Sequence, residues 1–210
     1  MARVTLLAVV AAGVLLVSGA AQAKAPPTGV QVCGASGCVN LASGPAEMFW
    51  RQATGPGRPV APGAFYAFRW HFDAEPERSA YFVPDRRAVR WLEPEGWGTL
   101  ETLAVDAIKR SLAGVEPFPA PTLTRVTVGG RQAAAPQTYL ALLAGKPTWI
   151  WPVGSWLNVK LASATPTPWT NGALTIRLNR SRPYVVVDGW VFRIPKDVAV
   201  RARRGLALRG

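Results

Sequence analysis

The chain has 210 residues, with 24 Lys and Arg against 12 Asp and Glu, one His and two Cys, for a formal net charge of +12. A single His leaves little room for histidine acid–base pairs or histidine metal clusters. Gly (20) and Pro (19) are abundant, yet they punctuate apolar segments and build no low-complexity tract or repeat, so the chain reads as globular.

Residues 1–23 carry the marks of a secretory signal peptide: Arg3, the apolar run 4–17, then Ala21-Gln22-Ala23 before Lys24. The alternative is an uncleaved anchor. The run is near the lower length limit for a spanning helix and ends in small residues, which favours cleavage. No later stretch is long and apolar enough to span a bilayer, and no Cys follows the run to take a lipid. The expectation is a secreted or extracytoplasmic protein whose residues 24–210 form a single domain.

Cys33 and Cys38 flank the Gly-rich turn Gly34-Ala35-Ser36-Gly37. In an oxidising compartment this spacing predicts a disulfide across a small hairpin over 28–41. A redox pair would usually have two intervening residues, and a metal site would need a second ligand pair that the distant His71 does not supply. No metal or cofactor is expected.

Ser43-Gly44-Pro45 can start a short helix through Gln52, although Met48-Phe49-Trp50 would serve a strand equally well. Residues 54–63 are a Gly/Pro loop. Residues 64–72 alternate as a strand, with Tyr66, Phe68, Trp70 and Phe72 on one side and Arg69 and His71 on the other. Short strands are predicted over 81–83 and 89–92, joined by the turn Pro84-Asp85-Arg86-Arg87. Residues 98–112 predict a helix capped by Thr99, with the apolar stripe Leu100, Leu103, Ala104, Ala107, Ile108, Leu112.

The Pro-rich run 117–121 is neither helix nor central strand and marks a possible subdivision of the domain. A hairpin about Gly129-Gly130 follows, then a short helix over 136–144. Strands are predicted over 156–161, with Leu157, Val159 and Leu161 inward, and at Leu174, Ile176 and Leu178. In 184–194 the Asp188-Gly189 pair predicts a type I′ turn that sets Val187 opposite Trp190 and Val185 opposite Phe192. The tail from Lys196, with Arg201, Arg203, Arg204 and Arg209, is a short helix or a disordered end. The sum is an α+β protein, mostly antiparallel β as a sandwich or open sheet, with two or three short helices.

Charge divides the chain unevenly. Residues 24–116 hold ten Lys/Arg and ten Asp/Glu, whereas 117–210 hold thirteen Lys/Arg against Asp188 and Asp197, a net +11. Part of the arginine excess can reflect coding bias. A field this lopsided still attracts anions, so Arg177, Arg180, Arg182, Arg201, Arg203 and Arg204 are candidates to contact an anionic envelope polymer, a polysaccharide or a lipid head group. No nucleic-acid motif is present. Trp149, Trp151 and Trp169, beside prolines or in loops, are expected to be exposed, where they can stack on sugars or sit at a membrane interface. Asn179-Arg180-Ser181 fits an N-glycosylation sequon.

No H-E-x-x-H, P-loop, G-x-S-x-G elbow or S-x-x-K signature occurs. Paired carboxylates are the remaining catalytic option: Asp73 and Glu75, with Glu77, after the aromatic strand, and Glu93 and Glu95 after Trp91. A glycosidase needs two such groups flanking a sugar. The favoured expectation is a non-enzymatic exported module at the cell envelope or outside it that contacts an anionic partner through its basic C-terminal half. The alternatives are a small secreted glycan hydrolase and a structural partner in an envelope assembly.

Overall fold

The computed structural model describes residues 27–53, 57–73, 75–93, 95–170 and 172–208. The signal segment and Arg209 lie outside the described residues.

The first hairpin pairs β1 (Gly29–Gly34) with β2 (Gly37–Asn40), and Cys33 lies opposite Cys38 in the ladder. The two are disulfide-bonded, with Cα atoms 4.0 Å apart. Strands β3 (Tyr66–His71), β4 (Arg78–Val83), β5 (Ala88–Leu92) and β6 (Glu95–Thr99) complete a six-stranded antiparallel sheet in the order β2-β1-β3-β4-β5-β6. One face of it is aromatic because Tyr66, Phe68 and Trp70 alternate with Ala67 and Arg69 along β3.

Helix α1 (Ser43–Gln52) covers that face. Helical spacing brings Ala46, Phe49, Trp50 and Ala53 to one side, and all four are buried. The Phe49 ring lies 4.6 Å from Phe68 and 5.1 Å from Trp70. This packing decides between the helical and extended readings of Met48-Phe49-Trp50.

Helix α2 (Thr102–Ser111) starts later than the sequence predicts, with Glu101 rather than a Thr99 side chain at its N-cap position. Residues 95–99 are instead spent on β6, whose Trp97 sits opposite Arg90. The ladder continues into Leu100, whose N–H donates to Arg87 O at 2.8 Å. Helical spacing puts Ala104, Val105, Ile108 and Leu112 on the buried side, with Leu100 before them, and leaves Leu103 74% exposed.

Phe118 in the Pro-rich run pairs with Phe65 through two backbone hydrogen bonds, 2.8 and 3.0 Å. Beyond it the chain builds β7 (Leu123–Val128), β8 (Arg131–Gln132), a helix over Pro136–Ala144 that is of the tighter 3-10 type, β9 (Lys146–Pro147), β10 (Trp156–Ser163), β11 (Ala173–Asn179), β12 (Tyr184–Val187), β13 (Trp190–Arg193) and α3 (Lys196–Arg203). These strands form a second, seven-stranded antiparallel sheet, β8-β7-β10-β11-β12-β13-β9. The β12–β13 turn has positive φ at both central residues, 46° at Asp188 and 79° at Gly189, and the predicted pairs Val187–Trp190 and Val185–Phe192 are present. The fold is α+β and mostly antiparallel β, as the element pattern predicts.

The inner face of the second sheet buries Val126, Val159, Leu161, Ile176, Leu178, Val185 and Phe192 against Tyr139 and Leu142 of the 3-10 helix and Val198, Ala199 and Ala202 of α3. Residues of the first half, Phe65, Val83, Ala88 and Trp97, join the same core. Trp169, expected in an exposed loop, is buried here: its Nε1 donates to Val60 O at 2.6 Å and its ring lies 6.1 Å from Trp97. A loop residue is drawn inward because it closes the seam between the two sheets. Asn179 of the sequon is also fully buried, and its Oδ1 accepts hydrogen bonds from the Ser181 and Arg182 N–H groups, so its amide is not presented for glycosylation in the folded chain. Among the described residues, no helix is long and apolar enough to cross a membrane.

Candidate anion-binding site

Among the described residues, the 3-10 helix and α3 pack on one face of the second sheet, and the alternation of its strands sends polar side chains to the other. In β7, Arg125 and Thr127 alternate with the buried Val126 and Val128. In β10, Asn158 and Lys160 alternate with Val159 and Leu161. The register places Lys160 opposite Thr127 and Thr175, Ala162 opposite Arg125, and Asn158 opposite Arg177. Three neighbouring strands therefore project Arg125, Lys160 and Arg177 from one face.

A cleft of about 670 Å³ lies on this face, lined by Arg125, Lys160, Arg180, Asn158 and Trp156 among others. Among the described residues no carboxylate lines it. Arg180 is held at its rim by the β11–β12 tip, where its N–H donates to Ser155 O at 2.9 Å. Arg177 stands beside the cleft with its guanidinium 5.8 Å from the ring centres of both Trp151 and Trp156. Two indole faces hold the guanidinium by cation–π attraction without neutralising its charge.

No Lys or Arg from Arg125 to Arg204 makes an ion pair with a described carboxylate; the acids that pair do so with cations of the first half, Asp188 with Arg90 included. Among the described residues, the Lys and Arg side chains of the second half thus carry no internal ion pair.

The six arginines singled out from sequence divide. Arg180 lines the cleft and Arg177 borders it. Arg182 is exposed at the same tip. Arg201 and Arg203 hold the fold: Arg201 Nε donates to Ala207 O at 2.6 Å, and Arg203 Nε donates to Asn179 O at 2.9 Å while its Nη2 reaches Arg182 O. Burial lowers the pKa of Arg203 from the usual arginine value. Arg204 is exposed at the end of α3, which packs on the inner face of the sheet. Arg125 and Lys160 were not singled out, although the inward assignment of Val159 and Leu161 already implied that Lys160 faces outward.

The candidate carboxylates stand elsewhere. Glu75 pairs with Arg78, Glu77 with His71 at 2.7 Å, and Glu95 with Arg90. Asp73 and Glu93 are exposed, and none of these five lines the cleft or either of the two other described cavities. No protein-family model matches the chain, and neither a curated protein nor a solved structure matches it.

Proposed function

We propose that the protein is an exported, non-enzymatic binding module, acting at the cell envelope or outside it, that takes an anionic partner on the outer face of its second sheet. The observation that carries this reading is the cleft in which Arg125, Lys160 and Arg180 converge without a carboxylate, beside an Arg177 held over two adjacent indoles. A cationic concavity with no internal counter-charge focuses field lines and concentrates anions. Asn158 and Trp156 add a hydrogen-bonding group and an apolar wall, which suit a carboxylate, sulfate or phosphate carried on an organic backbone.

The test is retention on soluble polyanions. Heparin and polyglutamate should bind at low salt and release as ionic strength rises past about 0.5 M, where screening acts over only a few ångströms. Lys160→Glu should weaken retention by about tenfold or more, with an unchanged thermal midpoint. Retention indifferent to salt, or to the charge reversal, would overturn the reading.

A further inference from the structure

The outer face carries a second feature that a cationic cleft does not explain. Four of the five residues 149–153 present apolar side chains to water: Trp149 is 90% exposed, Ile150 61%, Trp151 54% and Val153 73%. The other large exposed apolar side chains, such as Leu103 and Met48, stand on separate elements. Isolated exposed apolar residues are ordinary, whereas a contiguous run marks a contact surface.

The scaffold holds this run outward. Thr148 N–H donates to Val191 O at 3.0 Å, Arg180 N–H to Ser155 O at 2.9 Å, and Pro152 is buried between them. The Trp149 ring rests 5.9 Å from Trp190. The segment is thus pinned at both ends and in the middle, and four apolar side chains still project. Cations surround it: Lys146 three residues before, Arg193 opposite Lys146 in the β13–β9 ladder, Arg177 over Trp151, and Arg180 bonded to Ser155.

From this arrangement we infer that residues 149–153 form a membrane-interface anchor, and that the anionic partner is the headgroup layer of an acidic lipid bilayer. The inference rests on the reading that this face takes an anionic partner. Indole rings favour the headgroup level, and aliphatic side chains beside them reach the acyl boundary. The long Lys and Arg stems lie along apolar surface while their charges stay among lipid phosphates. A glycan would use the indoles for stacking but has no use for Ile150 and Val153. A second copy of this chain would bring another strongly positive half against this one. One apolar loop is a weak anchor alone, so attachment needs both signals, apolar insertion and acidic lipid.

The probes are vesicles of phosphatidylcholine with and without phosphatidylglycerol, some carrying brominated acyl chains that quench nearby indoles. The full chain serves, because residues 1–26 hold no tryptophan and all nine indoles lie in the described part. Acidic vesicles should shift the tryptophan emission to the blue, and brominated chains should quench it; phosphatidylcholine alone should do neither. Trp149→Ser with Ile150→Ser should weaken this partitioning by about tenfold or more and remove most of the quenching. Both side chains are exposed, so the thermal midpoint should stay unchanged. Equal quenching in wild type and variant, or quenching indifferent to lipid charge, would overturn the anchor. Binding to heparin without any vesicle response would overturn the membrane inference and leave the anionic-partner reading standing. Absence of both responses would overturn both.

Discussion

The indole Nε1 of Trp97 donates to Asp188 Oδ2 at 3.2 Å, joining two residues 91 positions apart. It ties the tip of the β12–β13 hairpin to the edge strand β6. Arg90 completes the joint, with its guanidinium 3.4 Å from the same carboxylate oxygen and 5.5 Å from the Trp97 ring centre. The Arg90 side chain is only 9% exposed and is shared between Asp188 and Glu95, so neutralising Asp188 leaves a poorly solvated charge with one carboxylate in place of two. Asp188→Asn keeps the positive φ that the turn requires, because Asn also tolerates that region. It should therefore report the joint alone, lowering stability by about 1–3 kcal/mol in urea titration. Asp188→Ala should cost about 1 kcal/mol more, from backbone strain. An Asn variant as stable as wild type would mean that the joint contributes nothing.

Gly34 predicts a steric effect with no conformational component. A Cβ at this position would stand 2.0 Å from Glu116 O and 3.0 Å from Val115 Cγ1. The backbone there has little freedom to retreat: Ala35 N–H donates to Glu116 O at 2.7 Å, and Glu116 N–H to Ser36 Oγ at 2.8 Å. Gly34→Ala should cost at least about 1–3 kcal/mol. Gly37, across the same turn, has φ of 135°, and a Cβ there would meet nothing within 4 Å, so Gly37→Ala should show backbone strain only. Replacing both Cys33 and Cys38 by Ser should cost about 2 kcal/mol through the short closed loop and leave polyanion binding untouched. Chemical denaturation of the variants orders these effects, and equal losses for the two glycines would contradict the steric account.

What was legible in the sequence was whatever local pattern determines. Asp188-Gly189 between apolar runs fixes both the turn and its register, and Cys33 and Cys38 across a Gly-rich turn fix the clip. What depends on distant neighbours was not legible. β9 is two residues, one of them Pro147, and exists because β13 offers it an edge. Trp169 reads as a loop residue because nothing nearby in sequence announces the Val60 carbonyl that its indole meets. The site was half legible for the same reason. Alternation says that Arg125, Lys160 and Arg177 each face outward, but only the order β7-β10-β11 makes them neighbours. Conversely, Arg203 looks like a free tail cation until the β11–β12 tip comes within its reach.

Alkaline pH should loosen the fold through its tyrosines. Burial raises the phenol pKa of Tyr139 above its usual 10.0, with Arg201 partly opposing; burial, then Asp85, raises Tyr66; burial raises Tyr81. A raised folded-state pKa means that the native protein holds its phenolic protons more tightly than the unfolded chain. This contribution is fully present below pH 10 and is lost as pH climbs through the raised values. The Tyr139 hydroxyl donates to Leu206 O at 3.1 Å. Tyr139→Phe should therefore cost about 1 kcal/mol at neutral pH while flattening the decline above pH 10. Urea midpoints measured across pH 8 to 11 test both signs, and a variant whose decline stays as steep as wild type would exclude Tyr139 as a contributor.

The arginines of the second half should separate into two classes under substitution, because some are committed to the backbone and others only to solvent. Arg125 and Lys160 pair with no described carboxylate and face the cleft, so Arg125→Ala with Lys160→Ala removes charge without opening the core. The double variant should keep its thermal midpoint and bind polyanions about tenfold more weakly at low salt. Its log–log salt dependence should become shallower by about two, one for each lost contact. Arg203 behaves in the opposite way: its two hydrogen bonds hold the carbonyls of Asn179 and Arg182, and with them the tip that positions Arg180. Arg203→Ala should lower the thermal midpoint first. It should weaken binding only as far as the tip loosens, with a smaller change in salt slope than the double variant. Measuring affinity at several salt concentrations alongside thermal unfolding separates the classes. If Arg203→Ala reduced the slope as much as the double variant at an unchanged midpoint, Arg203 would itself contact the ligand, and the division drawn from its hydrogen bonds would be wrong.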